Sequence, residues 1–139
     1  MTPARMQPPV SNPGSNRLHR SHRTVRDAME ATGPQVCDDM TVEVALAVMA
    51  GARAGHLLVS DEHGLCTGLV TRARLTAIRD SPAYTDRARL RDVLGGRGPF
   101  TSPLTAMAEA ERAMRHRSVD LLPVVDEEGS AVGVLDLAR

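Results

Sequence analysis

The sequence has no tryptophan and no lysine, and it holds one tyrosine (Tyr84) and one phenylalanine (Phe100). So few aromatics exclude a base-stacking platform of the kind that binds single-stranded nucleic acid, and they leave Ala, Val, Leu and Met to build the core. The seventeen basic residues are all arginine, and seventeen acids balance them to a formal charge of zero. That balance excludes a global field for a polyanion, so no nucleic-acid partner is expected. Cysteine is scarce too. Cys37 and Cys66 stand 29 residues apart with no C-x-x-C and no His at ligand spacing, and they read as free thiols of a reducing compartment, with no metal site. No run approaches the roughly 18 apolar residues of a membrane span, and the first residues lack a signal-peptide core. The expectation is a cytoplasmic protein without a membrane partner.

Also missing is a catalytic constellation. Asp61 with Glu62 and Asp126 with Glu127 are adjacent carboxylates, but they fall in turn sequences ("DEHG", "DEEG") where such residues shape the chain. "GGRGP" at 95–99 has no following G-K-[ST], so it reads as a helix stop and not as a phosphate loop. The expectation is therefore no enzyme and no required cofactor.

What is present is a repeat. Residues 1–23 are rich in Pro, Ser, Asn and Arg without apolar periodicity and read as a disordered tail. Beyond it, a shift of 65 aligns 25–74 with 90–139 without a gap, and fourteen of the fifty positions are identical, among them Gly68/Gly133 and Arg74/Arg139. Chance gives about three or four, so one supersecondary unit is duplicated. Val42, Ala45, Leu46 and Met49, and again Met107, Ala110 and Met114, mark an amphipathic helix in each copy. "HLLVS" with "CTGLVT" and "LLPVV" with "AVGVLD" read as hairpins. "QVC" and "FTS" read as short leading strands, and "TVRDAM" and "ARLRDVL" as short lead-in helices. The result is an α/β (α+β) fold of two strand-helix-strand-strand-helix units, spanning 24–80 and, with a linker, 81–139. Leu75 and Ile78 stripe the final helix of copy one, and copy two lacks residues for its counterpart. An apolar surface left without its own cover there is expected to be closed either by the lead-in around Val25 and Met29 or by a second chain, and a homodimer is expected, with the tail up to Arg23 outside the interface.

The duplicated unit, with "LLPVVDEEGSAVGVL" and "GLVT", resembles the CBS-domain (cystathionine-β-synthase domain) family, and two units in tandem resemble a Bateman module. The resemblance implies two clefts between paired sheets that take adenosine-containing ligands such as AMP, ATP or S-adenosylmethionine, and a regulatory role on a separate, unidentified effector protein. It also implies a ligand motif of Gly, two apolar residues, Ser or Thr, two variable residues and Asp. Here Gly68, Leu69, Val70 and Thr71 fit, but Arg74 stands in place of the acid; in copy two Asp136 replaces the hydroxyl and Arg139 the acid. A hydroxyl at a strand-to-helix corner caps the helix and faces a phosphate, whereas Asp136 would cap but repel one. The remaining cleft positions implied by the resemblance are Val36, Cys37, Gly55 and His56, and Thr101, Ser102, Asp120 and Leu121. Two readings stay open: a sensor of an anionic small molecule in one cleft, and a degenerate pair that serves dimerisation or protein docking. Thr71 is accordingly a ligand contact or a plain cap, and Arg74 a phosphate group's partner or a structural arginine.

Overall fold

The computed structural model describes residues 23–137. The expected tail, apart from Arg23, and Arg139, which stands in the acid's place in copy two, lie outside the described residues. The elements are α1 (Val25–Ala28), β1 (Gln35–Cys37), α2 (Val42–Ala52), β2 (His56–Ser60), β3 (Cys66–Thr71), α3 (Arg72–Arg79), α4 (Leu90–Leu94), α5 (Met107–Arg117), β4 (Leu121–Val125) and β5 (Ala131–Asp136). Both hairpins and both main helices fall where the periodicities place them.

The hairpin turns show why their acids are there. Asp61 Oδ1 accepts from the N–H groups of His63 and Leu65 at 2.8 and 3.0 Å. Asp126 Oδ1 accepts from Glu128 and Ser130 at 2.9 Å each. Gly64 and Gly129 close the two turns at φ 82° and 90°, a backbone state that disfavours residues with a Cβ. The Leu65 N–H above all holds the Asp61 carboxyl below its ordinary range. Its support of the turn is thus complete above the ordinary carboxylate range and is lost as pH falls through that lowered value.

β1 pairs parallel with β2, β2 antiparallel with β3, and β4 antiparallel with β5. The leading strand expected at "FTS" is reduced to one parallel bridge, Thr101 to Val124. The reason is Pro123. In repeat one the Leu58 N–H donates to Pro34 O at 3.1 Å; Pro123 stands at the matching place and has no N–H to give, so one rung is lost and the strand cannot extend.

Packing crosses the repeat boundary. One core holds Val42, Ala45, Met49, Leu57, Val59, Val70, Leu75 and also Leu90, from the lead-in of repeat two. The other holds Ala110, Met114, Leu122, Val124, Leu135 and also Val25, from the lead-in of repeat one. The main helices are started by these exchanged segments: Val42 N–H donates to Ala88 O at 2.9 Å and Met107 N–H to Arg23 O at 2.8 Å. Each half is thus completed by the other half's sequence.

Of the two covers expected for repeat two, the structure shows the lead-in, with Met29 packed beside Val25 on that core. Val25, fully buried, caps that core. In addition α5 carries Glu111 and Arg115, an i,i+4 ion pair at 3.8 Å, where α2 has Leu46, half-buried on the first core, and the exposed Ala50.

The connection after α3 is pinned by the single tyrosine. Tyr84 Oη donates to Glu43 Oε2 at 2.7 Å, and desolvation, with this bond and the neighbouring carboxylates, pushes the phenol up to about 12. Its contribution to stability is complete below the ordinary phenol pKa of about 10 and is lost as pH rises through the raised value. Tyrosinate absorbance should therefore titrate with a midpoint near 12, and Glu43→Gln should lower it. An ordinary midpoint in the native chain would contradict the contact.

Candidate functional site

The two halves meet around a cavity of about 380 Å3. Its first wall is β3 and the start of α3: Thr67, Gly68, Leu69, Thr71 and Arg74. Its second is the entry to β4, Val119 to Pro123, and the linker residues Leu94, Gly96, Gly98 and Pro99 close the third side. The corner is built by local rules. β3 ends at Thr71, whose Oγ1 accepts from the Arg74 N–H at 3.2 Å and caps α3. The Arg72 N–H is used by Gly55 O at 2.9 Å. Two first-turn donors are therefore already taken inside the protein, and the Arg74 guanidinium is the main cationic group on the cavity wall. One of its amino groups, Nη2, donates to Val93 O at 2.9 Å and fixes the side chain over the linker. Asp120 supplies a carboxylate from the opposite wall.

β3 presents an open edge to this space. Leu58 sits opposite Leu69 and gives its N–H away to Pro34. Leu69 therefore turns its own N–H and C=O outward, as alternate residues of an antiparallel pair must. In repeat two the matching residue is Val134, and there Glu30 zips onto the edge with N–H to O distances of 2.8 and 3.0 Å. The counterpart of Glu30 is Gly95, which has φ 83° and turns the chain away. Among the described residues no backbone bond joins Gly95 to Leu69. The halves also differ in closeness. A Cβ on Gly133 would lie 2.8 Å from both Glu30 O and Met29 Sδ, whereas one on Gly68 would meet only Leu94 Cδ2 at 3.7 Å.

Of the residues singled out from sequence, Thr71, Arg74, Asp120 and Leu121 line this one cavity. The others do not. Thr101 and Ser102 line a separate groove with Phe100 and Glu109, and Gly55 lines a shallow depression beside Arg53 and Arg72. Val36 packs on the first core, and Cys37 Sγ lies 3.9 Å from Asp38 Oδ1. His56 pairs in register with Thr71, and its Nε2 is buried without a hydrogen-bond partner near Gly33. Asp136 pairs in register with Leu121 but does not itself line the cavity. Sequence reasoning missed Thr67, the edge of Leu69 and the linker wall. The cluster of glycines at 95–98 was the available signal, read only as a helix stop. The two cysteines are free, and burial pushes the Cys66 thiol up. Among the described residues no group of three or more His, Cys, Asp and Glu is placed to hold a metal ion, and no helix is long and apolar enough to cross a membrane.

Two paired hairpins, each with a helix, meeting around a cleft at a Gly-x-x-Thr corner define a tandem domain of one class. The CBS domain family model matches residues 24–79 and 99–139, and the chain belongs to the CBS-domain family as a tandem pair. It is similar to a homoserine O-acetyltransferase of Methanohalophilus mahii, 30% identical over 115 residues, which are 82% of this chain and 23% of that protein. The chain thus spans about a quarter of the length of that relative. Among solved structures it is similar to the cytosolic domain of the Mg2+ channel MgtE in complex with ATP, with 27% identity and a TM-score of 0.68 over 80% of this chain and 44% of that one. It also has the fold of CBSX2 in complex with AMP, with 23% identity and a TM-score of 0.71 over 84% and 91% of the two chains.

Proposed function

We propose that the chain is a cytoplasmic, non-catalytic regulatory module that takes one adenosine-containing or other anionic small molecule in the Thr71–Arg74 cavity and passes its presence to a separate effector protein. The observation that carries this reading is the difference between the two halves. At Leu69 the β3 edge, the Thr71 corner and Arg74 face one open space, while at Val134 the chain's own Glu30 occupies the edge. AMP, ATP and S-adenosylmethionine are the candidate ligands, and the similar proteins crystallised with ATP and AMP support that choice. Arg74 in place of an acid favours the more anionic of them, since five guanidinium donors suit phosphate oxygens and repel no negative charge.

A thermal-shift screen of adenine nucleotides, S-adenosylmethionine and cyclic dinucleotides tests the reading, because a ligand at 100 times its dissociation constant stabilises by about 2.7 kcal/mol. ATP should shift the midpoint more than adenosine does, and the difference should shrink with salt. Thr71→Ala should weaken binding about tenfold, the worth of one hydrogen bond in the upper part of its range. A chain that no member of the panel stabilises would support the second reading, a pair without ligand. That reading has one observation in its favour: Arg74 already bonds Val93 O and so has a structural task.

A further inference from the structure

The duplication supplies an internal control for the two lead-in helices. Each is about one turn long, too short to stand without outside support. At their starts the two are held alike. Val25 N–H donates to Thr105 O and Arg26 N–H to Pro103 O, and in the same way Leu90 N–H donates to Met40 O and Arg91 N–H to Asp38 O, each at 2.9 Å. Their ends are held differently. The chain leaving α1 is closed by backbone: Met29 N–H donates to Val25 O at 2.8 Å, and Glu30 is zipped to Val134. The chain leaving α4 turns away at Gly95, and the last-turn carbonyl of Val93 is taken instead by a side chain, Arg74 Nη2 at 2.9 Å. A cation suits the unpaired carbonyls of a helix C-terminus. The end of α4 therefore hangs on a group that lines the ligand cavity. Leu94 of α4 lines the same cavity, and Leu90, one turn earlier, fills the first core.

We infer, resting on the ligand proposed for this cavity, that Arg74 couples the cavity to α4: one guanidinium holds the ligand's anionic group and the α4 C-terminus at once. A bound anion then tightens α4 and the Gly95–Gly98 linker that leads into repeat two. A guanidinium carries five N–H donors in a planar fork, and Val93 O takes one of them. Among the described residues the other four have no protein acceptor. A phosphate group can be gripped by two of these donors in parallel while the bond to Val93 O stays in place. That grip fixes the rotamer on which the Val93 bond depends, so the bond is made more of the time. A lysine would bring the charge without the fork, and a point charge cannot span both partners in this way. α1 has no such link, since backbone bonds alone close its end. The response to a ligand is therefore one-sided: it appears in α4 and not in α1.

Hydrogen exchange of the full chain with and without saturating ATP reads the coupling, and the thermal midpoint of the same samples reads binding. The expected result is exchange in α4 and the linker slowed about tenfold by ATP, the worth of one hydrogen bond, with α1 little changed. Arg74→Lys should speed exchange of α4 in the ligand-free chain. At ATP concentrations that saturate this variant, its α4 should exchange as fast as without ATP. Arg79→Lys, at the far end of α3, should behave as the native chain does. Three results would overturn the coupling and leave the ligand reading standing: a midpoint raised by ATP with α4 exchange unchanged, equal slowing of α1 and α4, or full slowing retained in Arg74→Lys. A midpoint that ATP does not move would remove the ligand reading and the coupling together.

Discussion

Leu90→Ala is expected to destabilise the protein by about 2–5 kcal/mol, the range for removing a fully buried leucine side chain, and to do so in the half to which its own repeat does not belong. Leu90 has no exposed surface and packs with Val42, Met49, Leu57 and Leu75 of repeat one. Deleting it opens a cavity between α2 and β3 that α4, a helix of five residues, cannot close by sliding without losing the Leu90 N–H to Met40 O bond of 2.9 Å. Denaturant unfolding should show the loss. Hydrogen exchange should place it first in β2 and β3, and only afterwards in β4 and β5. A loss confined to repeat two would contradict the exchanged lead-ins. By the same logic residues 24–80 alone, which lack Leu90, should not form a stable fold.

Gly133→Ala should destabilise by about 1–3 kcal/mol, the usual range for forcing extra volume into a packed site, while Gly68→Ala stays close to neutral. The two glycines are identical positions of the repeat, so sequence alone expects equal effects. The added methyl at 133 meets the carbonyl oxygen of Glu30 at 2.8 Å, and that backbone is held by two bonds to Val134 and cannot retreat cheaply. At 68 the nearest atom is the end of the Leu94 side chain at an ordinary 3.7 Å, which can turn aside. Thermal midpoints of the two variants decide it, and equal shifts would remove the claimed asymmetry.

Much of the fold was legible because each element announces itself locally. Alternation and turn acids mark the hairpins, helical spacing marks α2 and α5, and the 65-residue shift joins them into a pair. What stayed hidden was non-local. Nothing in "ARLRDVL" says that Leu90 serves the first core, because an apolar residue looks the same whichever half buries it; Val25 and Met29 are one of the two covers expected for the second core, and the sequence could not choose between them and another chain. The loss of the second leading strand was visible in principle, in Pro123, but only once Leu58 was seen to give its N–H to Pro34. At the candidate site, Thr71 and Arg74 stood out by motif and Asp120 and Leu121 by resemblance. The open edge of Leu69 involves backbone atoms, which every residue carries alike, so no side chain could reveal it. His56 shows the opposite case: its position was singled out, yet its ring is buried near Gly33 and away from the cavity.

The most direct measurement is a calorimetric titration of the native chain and of Thr71→Ala with ATP. The account predicts one molecule bound per chain, with affinity about tenfold weaker in the variant. Two equal sites per chain, or tight binding unaffected by Thr71→Ala, would contradict it.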